Sequence, residues 1–176
     1  MVATWLAGAV SASVLLIAPL ATVGVAAADP DDSAQGGLPG GQRLSPFDLS
    51  SPAVNRLDPA LLDAVERASD AAAADGITIG LTSGWRSPEF QQQLFDDAVV
   101  QYGSVDIASQ YVASPQVSKH VMGKAVDVGP TAADDWLLRN GQAFGLCQIY
   151  ANEIWHFELA SDYGGACPPL RPNAAG

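Results

Sequence analysis

The chain has 176 residues, enough for one domain with a core of its own. It carries 19 acidic and 8 basic residues, a formal net charge of −11. A surface so charged repels nucleic acid and acidic wall polymers, so neither is expected as a bulk partner, and an anionic ligand would need one placed cation to hold it.

From Trp5 to Val25 the chain is almost uninterrupted Ala, Val, Leu and Gly, and "VAAADP" follows. An apolar stretch ending in small residues reads as a signal peptide over residues 1–28, cut after Ala28. The alternative is a retained anchor, because about 20 apolar residues can span a bilayer. Pro19 and the Ala-rich ending favour cleavage, although no Lys or Arg precedes Arg43 as a usual leader would have. Either route puts the rest of the chain outside the cytoplasmic membrane, secreted or in the cell envelope, with membrane contact only if the leader stays. Residues 29–45, "DPDDSAQGGLPGGQRLS", are rich in Gly, Pro and Asp without apolar period and read as a flexible linker. The domain is expected over 46–170, as a monomer, with a short tail at 171–176.

Pro59 to Ala74 shows apolar residues at helical spacing, with Pro59 in the first turn and Gly76 after the end. "ITIGLT", Ile77 to Thr82, is β-branched and alternating, and predicts a strand. The loop "SGWRS" leads into a second helix, with Ser87 as N-cap, Pro88 at the first position and Glu89 at the positive end of the dipole. A shorter helix is expected over Val105 to Val112, and "KAVDVG" as a strand with Val126 and Val128 on one face and Asp127 on the other. "TAADDWLLRNGQAFG" predicts a third long helix capped by Thr131 and stopped by Gly145. "LCQIY" and "IWHFEL" complete the strands. No repeats occur, and the short links between strands favour a small α+β domain built on a central antiparallel sheet flanked by helices.

Cys147 and Cys167 are the two cysteines. In an exported chain an even pair reads as a disulfide, which would enclose "NEIWHFE" and tie down the C-terminal end. The competing reading makes Cys147 a nucleophile served by His156.

The chain holds just two histidines, each near a carboxylate in an apolar segment. His120 and Asp127 lie in "SKHVMGKAVDVG", where Gly123 can turn the backbone between a loop residue and a strand residue. In "EIWHFE", Trp155 and Phe157 alternate with His156 and Glu158, and Glu153 precedes His156 by three residues. Zinc that performs hydrolysis takes three protein ligands and leaves one position open; two histidines and a carboxylate make an accepted set. His120, Asp127 and His156 supply that set, and Glu153 is left to take the proton of the attacking water. Glu158 fits better as a partner of an arginine or of a ligand. Trp136, Phe144 and Trp155 are expected in the core; Tyr150 either joins the core or reaches the site.

Three stretches carry a family resemblance. "SKHVMGKAVDVG" resembles the Ser-x-His-x-x-Gly-x-Ala-x-Asp signature of VanY-type D-Ala-D-Ala carboxypeptidases, "EIWHFE" is similar to their Glu-x-Trp-His segment, and "SGWRSPEFQ" to their Ser-Gly-Tyr-Arg-Ser stretch. The likeness covers roughly Leu61 to Leu159, in the family's order. It implies the fold shared with lysostaphin-type peptidases and hedgehog domains, one zinc ion on His120, Asp127 and His156, and Glu153 as catalytic base. It implies further that Arg86 grips the substrate and stabilises developing negative charge, with Ser118 and Gln91 lining the pocket. The implied substrate is the peptidoglycan stem peptide. Trp85 stands in place of the usual Tyr, Lys119 where an acidic or polar residue is common, and Ile154 where Pro is frequent. The first and second of these bear on which peptide end is accepted.

Other functions fit less well. Serine-type D,D-carboxypeptidases need Ser-x-x-Lys, and Lys119 and Lys124 have Gln116 and Val121 three positions earlier. An L,D-carboxypeptidase or a stem-peptide endopeptidase would use the same residues. A non-catalytic wall-peptide module would not need the free acid of Glu153.

Overall fold

The computed structural model describes residues 30–38 and 40–175, so the leader expected over 1–28 lies outside the described residues. Helix α1 (Pro30–Ala34) and helix α2 (Pro52–Asn55) are single turns. Helix α3 (Pro59–Ala74) starts where Asp58 accepts the Ala60 N–H at 2.8 Å, and it buries Leu61, Ala64, Val65, Ala68 and Ala72 along one stripe.

Strand β1 (Gly80–Ser83) begins later than the alternating pattern predicts. The Ile77 N–H bonds the Ala72 carbonyl at 2.9 Å across Gly76, which has φ of +75°, so Ile77 closes the end of α3 instead of joining the sheet. Helix α4 (Pro88–Tyr102) has the expected Ser87 cap, which accepts from the Phe90 N–H at 3.0 Å, and it stops at Gly103. Helix α5 (Val105–Ala108) is shorter than expected. The side chains of Ser109 and Gln110 both turn back to the Asp106 carbonyl, a local alternative that breaks the helix.

Strand β2 (Ala125–Gly129) is buried throughout, and helix α6 (Thr131–Asn140) follows. Thr131 is the first helical residue and not its cap; Pro130 occupies that position and makes no side-chain capping bond. A 3-10 turn over Gly141–Phe144 separates α6 from the stop at Gly145. Strands β3 (Leu146–Gln148) and β4 (His156–Leu159) and a 3-10 turn (Ala160–Tyr163) complete the fold.

The four strands form one antiparallel sheet in the order β1-β2-β4-β3, the α+β architecture expected. Leu146, Val126 and Phe157 join the core cluster that includes α3 and α6 residues. The rows between them present Ser83, Asp127 and His156 side by side, then Ala125, Glu158 and Cys147. Directly opposed residues share a face, so chemistry collects on the side away from α3 and α6.

The stretch expected as a flexible linker is partly folded onto the domain. Ser87 donates both its N–H and its hydroxyl to Gln35, and Leu44 exchanges two backbone bonds with Leu81. Gly36 backs so closely on Trp85 that a Cβ would stand 2.0 Å from its carbonyl oxygen. The tail is held too: Arg171 exchanges backbone bonds with Ile149 and Ala151, and Ala174 donates to Gln110. Cys147 and Cys167 form a disulfide, which removes the nucleophile reading of Cys147.

Candidate metal centre and its cavity

His120 reaches the sheet from a loop folded tightly by Gly123, whose φ is +70° and whose N–H bonds the His120 carbonyl at 3.0 Å. A Cβ there would meet the Arg56 carbonyl at 2.6 Å, so only glycine fits. Asp127 and His156 face each other across β2 and β4 as a register pair. The three side chains thus meet: His120 Nε2 lies 3.3 Å and His156 Nδ1 3.0 Å from Asp127 Oδ1. All three are buried, and their candidate ligand atoms lie within 4.8 Å of one another.

The outer ring nitrogens decide what the inner ones can do. His120 Nδ1 lies 2.8 Å from the Gly84 carbonyl, which only accepts, so Nδ1 carries a proton and Nε2 offers its lone pair inward. His156 Nε2 lies 3.0 Å from Glu158 Oε1, leaving Nδ1 to face Asp127. Two lone pairs and a carboxylate converging on one buried point repel each other unless a cation or a proton sits among them. This donor set fits zinc.

Electrostatics follow the same geometry. Burial would raise Asp127, but the two imidazoles overcome it and hold the carboxyl well below the usual range. Burial lowers His120, and Arg86 adds to that. His156 is raised to about 9 because its bonds to Asp127 and Glu158 outweigh burial. Burial also pulls Arg86 down, against Asp127.

Glu153 sits beside the cluster, with Oε2 3.8 Å from His156 Nδ1 and with Oε1 buried and unpartnered among the described residues. Burial raises its carboxyl to about 7, with His156 opposing. A carboxyl raised in the folded state favours folding below its ordinary value of 4.5 and loses that contribution as pH rises through about 7. Metal-free Glu153→Gln should therefore be more stable than the metal-free parent at pH 8, by up to about 3 kcal/mol, with the gap closing in acid. Denaturant unfolding in chelator at both pH values measures it.

The other expected site residues are placed as follows. Arg86 donates from Nε to Ser83 Oγ (2.8 Å), from Nη1 to Gln91 Oε1 (3.0 Å) and from Nη2 to Asp127 Oδ2 (3.1 Å). It is thereby committed to a candidate ligand, a role beyond the substrate grip expected of it. Gln91 is 1% exposed, and its Nε2 donates to the Ala113 carbonyl. Ser118 is buried in the cavity wall, and Tyr150 reaches the site with its ring 5.0 Å from that of His156. Trp155, expected in the core, is 42% exposed at the cavity rim because β4 starts only at His156. The cavity, about 380 Å³, opens between this sheet face and α4.

Ser83 and Tyr163 were not foreseen. Tyr163 donates its hydroxyl to Glu158 Oε2 at 2.7 Å, and Glu158 is fully buried. The alternation along β4 already puts Glu158 on the face of His156; nothing in the sequence marks Tyr163. A carboxylate so held orients the imidazole, so Glu158→Gln should weaken zinc binding about 10- to 100-fold in a chelator competition.

An open antiparallel sheet that brings two imidazoles and a carboxylate to one buried point, with a further acid at its side, is the arrangement of a mononuclear metal hydrolase. The family model for VanY, D-alanyl-D-alanine carboxypeptidase, matches residues 54–163, more than half of the chain, and the chain belongs to that family. A curated D-alanyl-D-alanine carboxypeptidase of Enterococcus faecalis is 31% identical over an alignment covering 50% of this chain and 42% of that protein, so the chain spans less than half of its relative's length. Among solved structures, the vancomycin-resistance D,D-pentapeptidase VanY of a VanB-type cassette, in complex with Zn(II), is 27% identical with a TM-score of 0.56, covering 63% of this chain and 80% of that one. The same comparison with VanYB in complex with D-Ala-D-Ala gives 26% identity and a TM-score of 0.56 over 63% and 79%.

Proposed function

We propose that this domain is a zinc-dependent D-alanyl-D-alanine carboxypeptidase that removes the last residue of peptidoglycan stem peptides. The observation that carries the reading is Glu153 at the edge of the buried His120, Asp127 and His156 cluster, with Oε2 3.8 Å from His156 Nδ1 and with Oε1 buried and without a partner among the described residues. A structural metal site has no use for a buried acid without a partner, whereas hydrolysis needs a base.

His120 through Nε2, Asp127 through its carboxylate and His156 through Nδ1 would hold the zinc. When bound, the ion supplies Lewis-acid charge and makes water a usable nucleophile near neutral pH. Glu153 takes the proton of the attacking water on a carboxylate oxygen and returns it to the departing amine, so that the peptide C–N bond breaks with no net change in the base. Arg86, fixed by three hydrogen bonds, keeps its guanidinium charge at the cluster, where negative charge develops on the substrate oxygen. Ser118 and Gln91 shape the wall beside it.

The substrate lies beyond the cytoplasmic membrane, and export of the chain belongs to the same proposal. The Cys147–Cys167 disulfide supports it, since such bonds persist in oxidising compartments. Among the described residues no helix is long and apolar enough to cross a membrane.

The test is incubation of the purified protein with a stem pentapeptide ending in D-Ala-D-Ala. D-alanine should be released, chelator should stop the release, and added zinc should restore it. No release, or release that chelator leaves untouched, overturns the reading.

A further inference from the structure

Lys119, next to His120, has no task in the reaction above. Among the described residues, one arginine and one lysine line the cavity, Arg86 and Lys119, alongside three acids, Asp97, Asp127 and Glu153, and the two histidines of the cluster. The family resemblance implies that Arg86 grips the substrate. The structure shows that guanidinium already bonded to Ser83, Gln91 and Asp127, with its charge paired to the last of these.

Lys119 is held far more loosely, by one long ion pair and, among the described residues, no hydrogen bond from its ammonium. Its side chain is 28% exposed, and Nζ lies 3.9 Å from Glu158 Oε2, beyond hydrogen-bond distance. Glu158 already engages both oxygens, Oε1 with His156 Nε2 and Oε2 with the Tyr163 hydroxyl. The Tyr163 ring, 5.9 Å from Nζ, supports the lysine stem without accepting a strong bond. An ammonium on a flexible stem, beside a cavity of a protein with net charge −11, is a natural landing point for a small anion.

Resting on the carboxypeptidase reading, we propose that Lys119 receives the free α-carboxylate of the bound peptide and so sets the preference for cutting at a chain end over cutting within a chain. The ammonium turns a few ångströms from Glu158 toward the incoming carboxylate and makes the charge-assisted bond that it lacks in this structure. Arg86, locked by three partners, is not displaced.

The experiment compares two peptides that end in D-Ala-D-Ala, one as the free acid and one as the C-terminal amide, on the zinc-loaded parent, Lys119→Met and Lys119→Arg. Steady-state hydrolysis is measured together with binding of D-alanyl-D-alanine and its amide by calorimetry. Lys119→Met should raise KM and Kd for the free acid about tenfold, leave kcat close to the parent, and change little with the amide. Lys119→Arg should recover most of the loss. Equal losses on acid and amide would mean that Lys119 acts only through Glu158, and would overturn the proposal; so would no loss at all. A parent that hydrolyses neither peptide, yet binds the acid through Lys119, would count against the reaction and in favour of the carboxylate site.

Discussion

Glu153→Gln is expected to lower kcat by about 10³-fold or more while zinc stays bound at one per chain. General-base catalysis contributes about 10² to 10⁴ in rate, and glutamine keeps the shape and hydrogen-bonding reach of the side chain but cannot take a proton. Glu153 is 9% exposed, one of its oxygens has no partner among the described residues, and the other lies 3.8 Å from His156 Nδ1, beyond hydrogen-bond distance, so the exchange breaks no side-chain hydrogen bond. Metal content by mass spectrometry separates the two effects. A variant with full zinc and parental kcat would remove Glu153 from the mechanism and move attention to Glu158.

Asp127→Ala should abolish stoichiometric zinc and also destabilise the fold. Asp127 faces both imidazoles through Oδ1 and the Arg86 guanidinium through Oδ2. Removing it leaves a largely enclosed arginine, 16% exposed, without its countercharge, and breaking such a pair costs up to about 3–5 kcal/mol, the value for full burial. The loss in unfolding free energy should exceed that of His120→Ala, which removes a ligand but leaves the Arg86 pair intact. If Asp127→Ala holds zinc at the parental affinity, the ligand assignment fails. Unfolding in denaturant with chelator isolates the arginine term from the metal term.

Much of the site could be read in the chain before its fold was seen. In "KAVDVG" and "IWHFEL" the strict alternation assigns Asp127, His156 and Glu158 to faces opposite Val126 and Phe157, and the sheet has that arrangement. The Ser87-Pro88 start of α4 was equally plain, because the cap acts within one turn. What stayed hidden depends on contacts distant in sequence. Ser83 reaches the site because an irregularity between Leu81 and Ser83 sets it opposite Asp127. Residues 29–45 read as a flexible linker because Gly and Pro leave no periodic trace, yet Gln35 and Leu44 attach to the domain through bonds, most of them to backbone groups, that no apolar pattern encodes. Ile77 satisfied the strand pattern and was claimed by the end of α3. Trp155 has a core composition but falls one residue before β4, where its ring meets the rim.

The opposition of Asp127 and His156 across two neighbouring strands limits how this chain can vary in length. Successive strand residues point to opposite sides, so one residue inserted between Ala125 and Asp127 would send the carboxylate into the apolar layer and bring a valine to the metal. The same holds between His156 and Glu158. Gains and losses of residues are tolerable elsewhere, in the connection between α5 and Ser118 for example, where they would remodel the mouth of the cavity without moving the ion. Homologous chains should accordingly differ in length there and match residue for residue along the two strands.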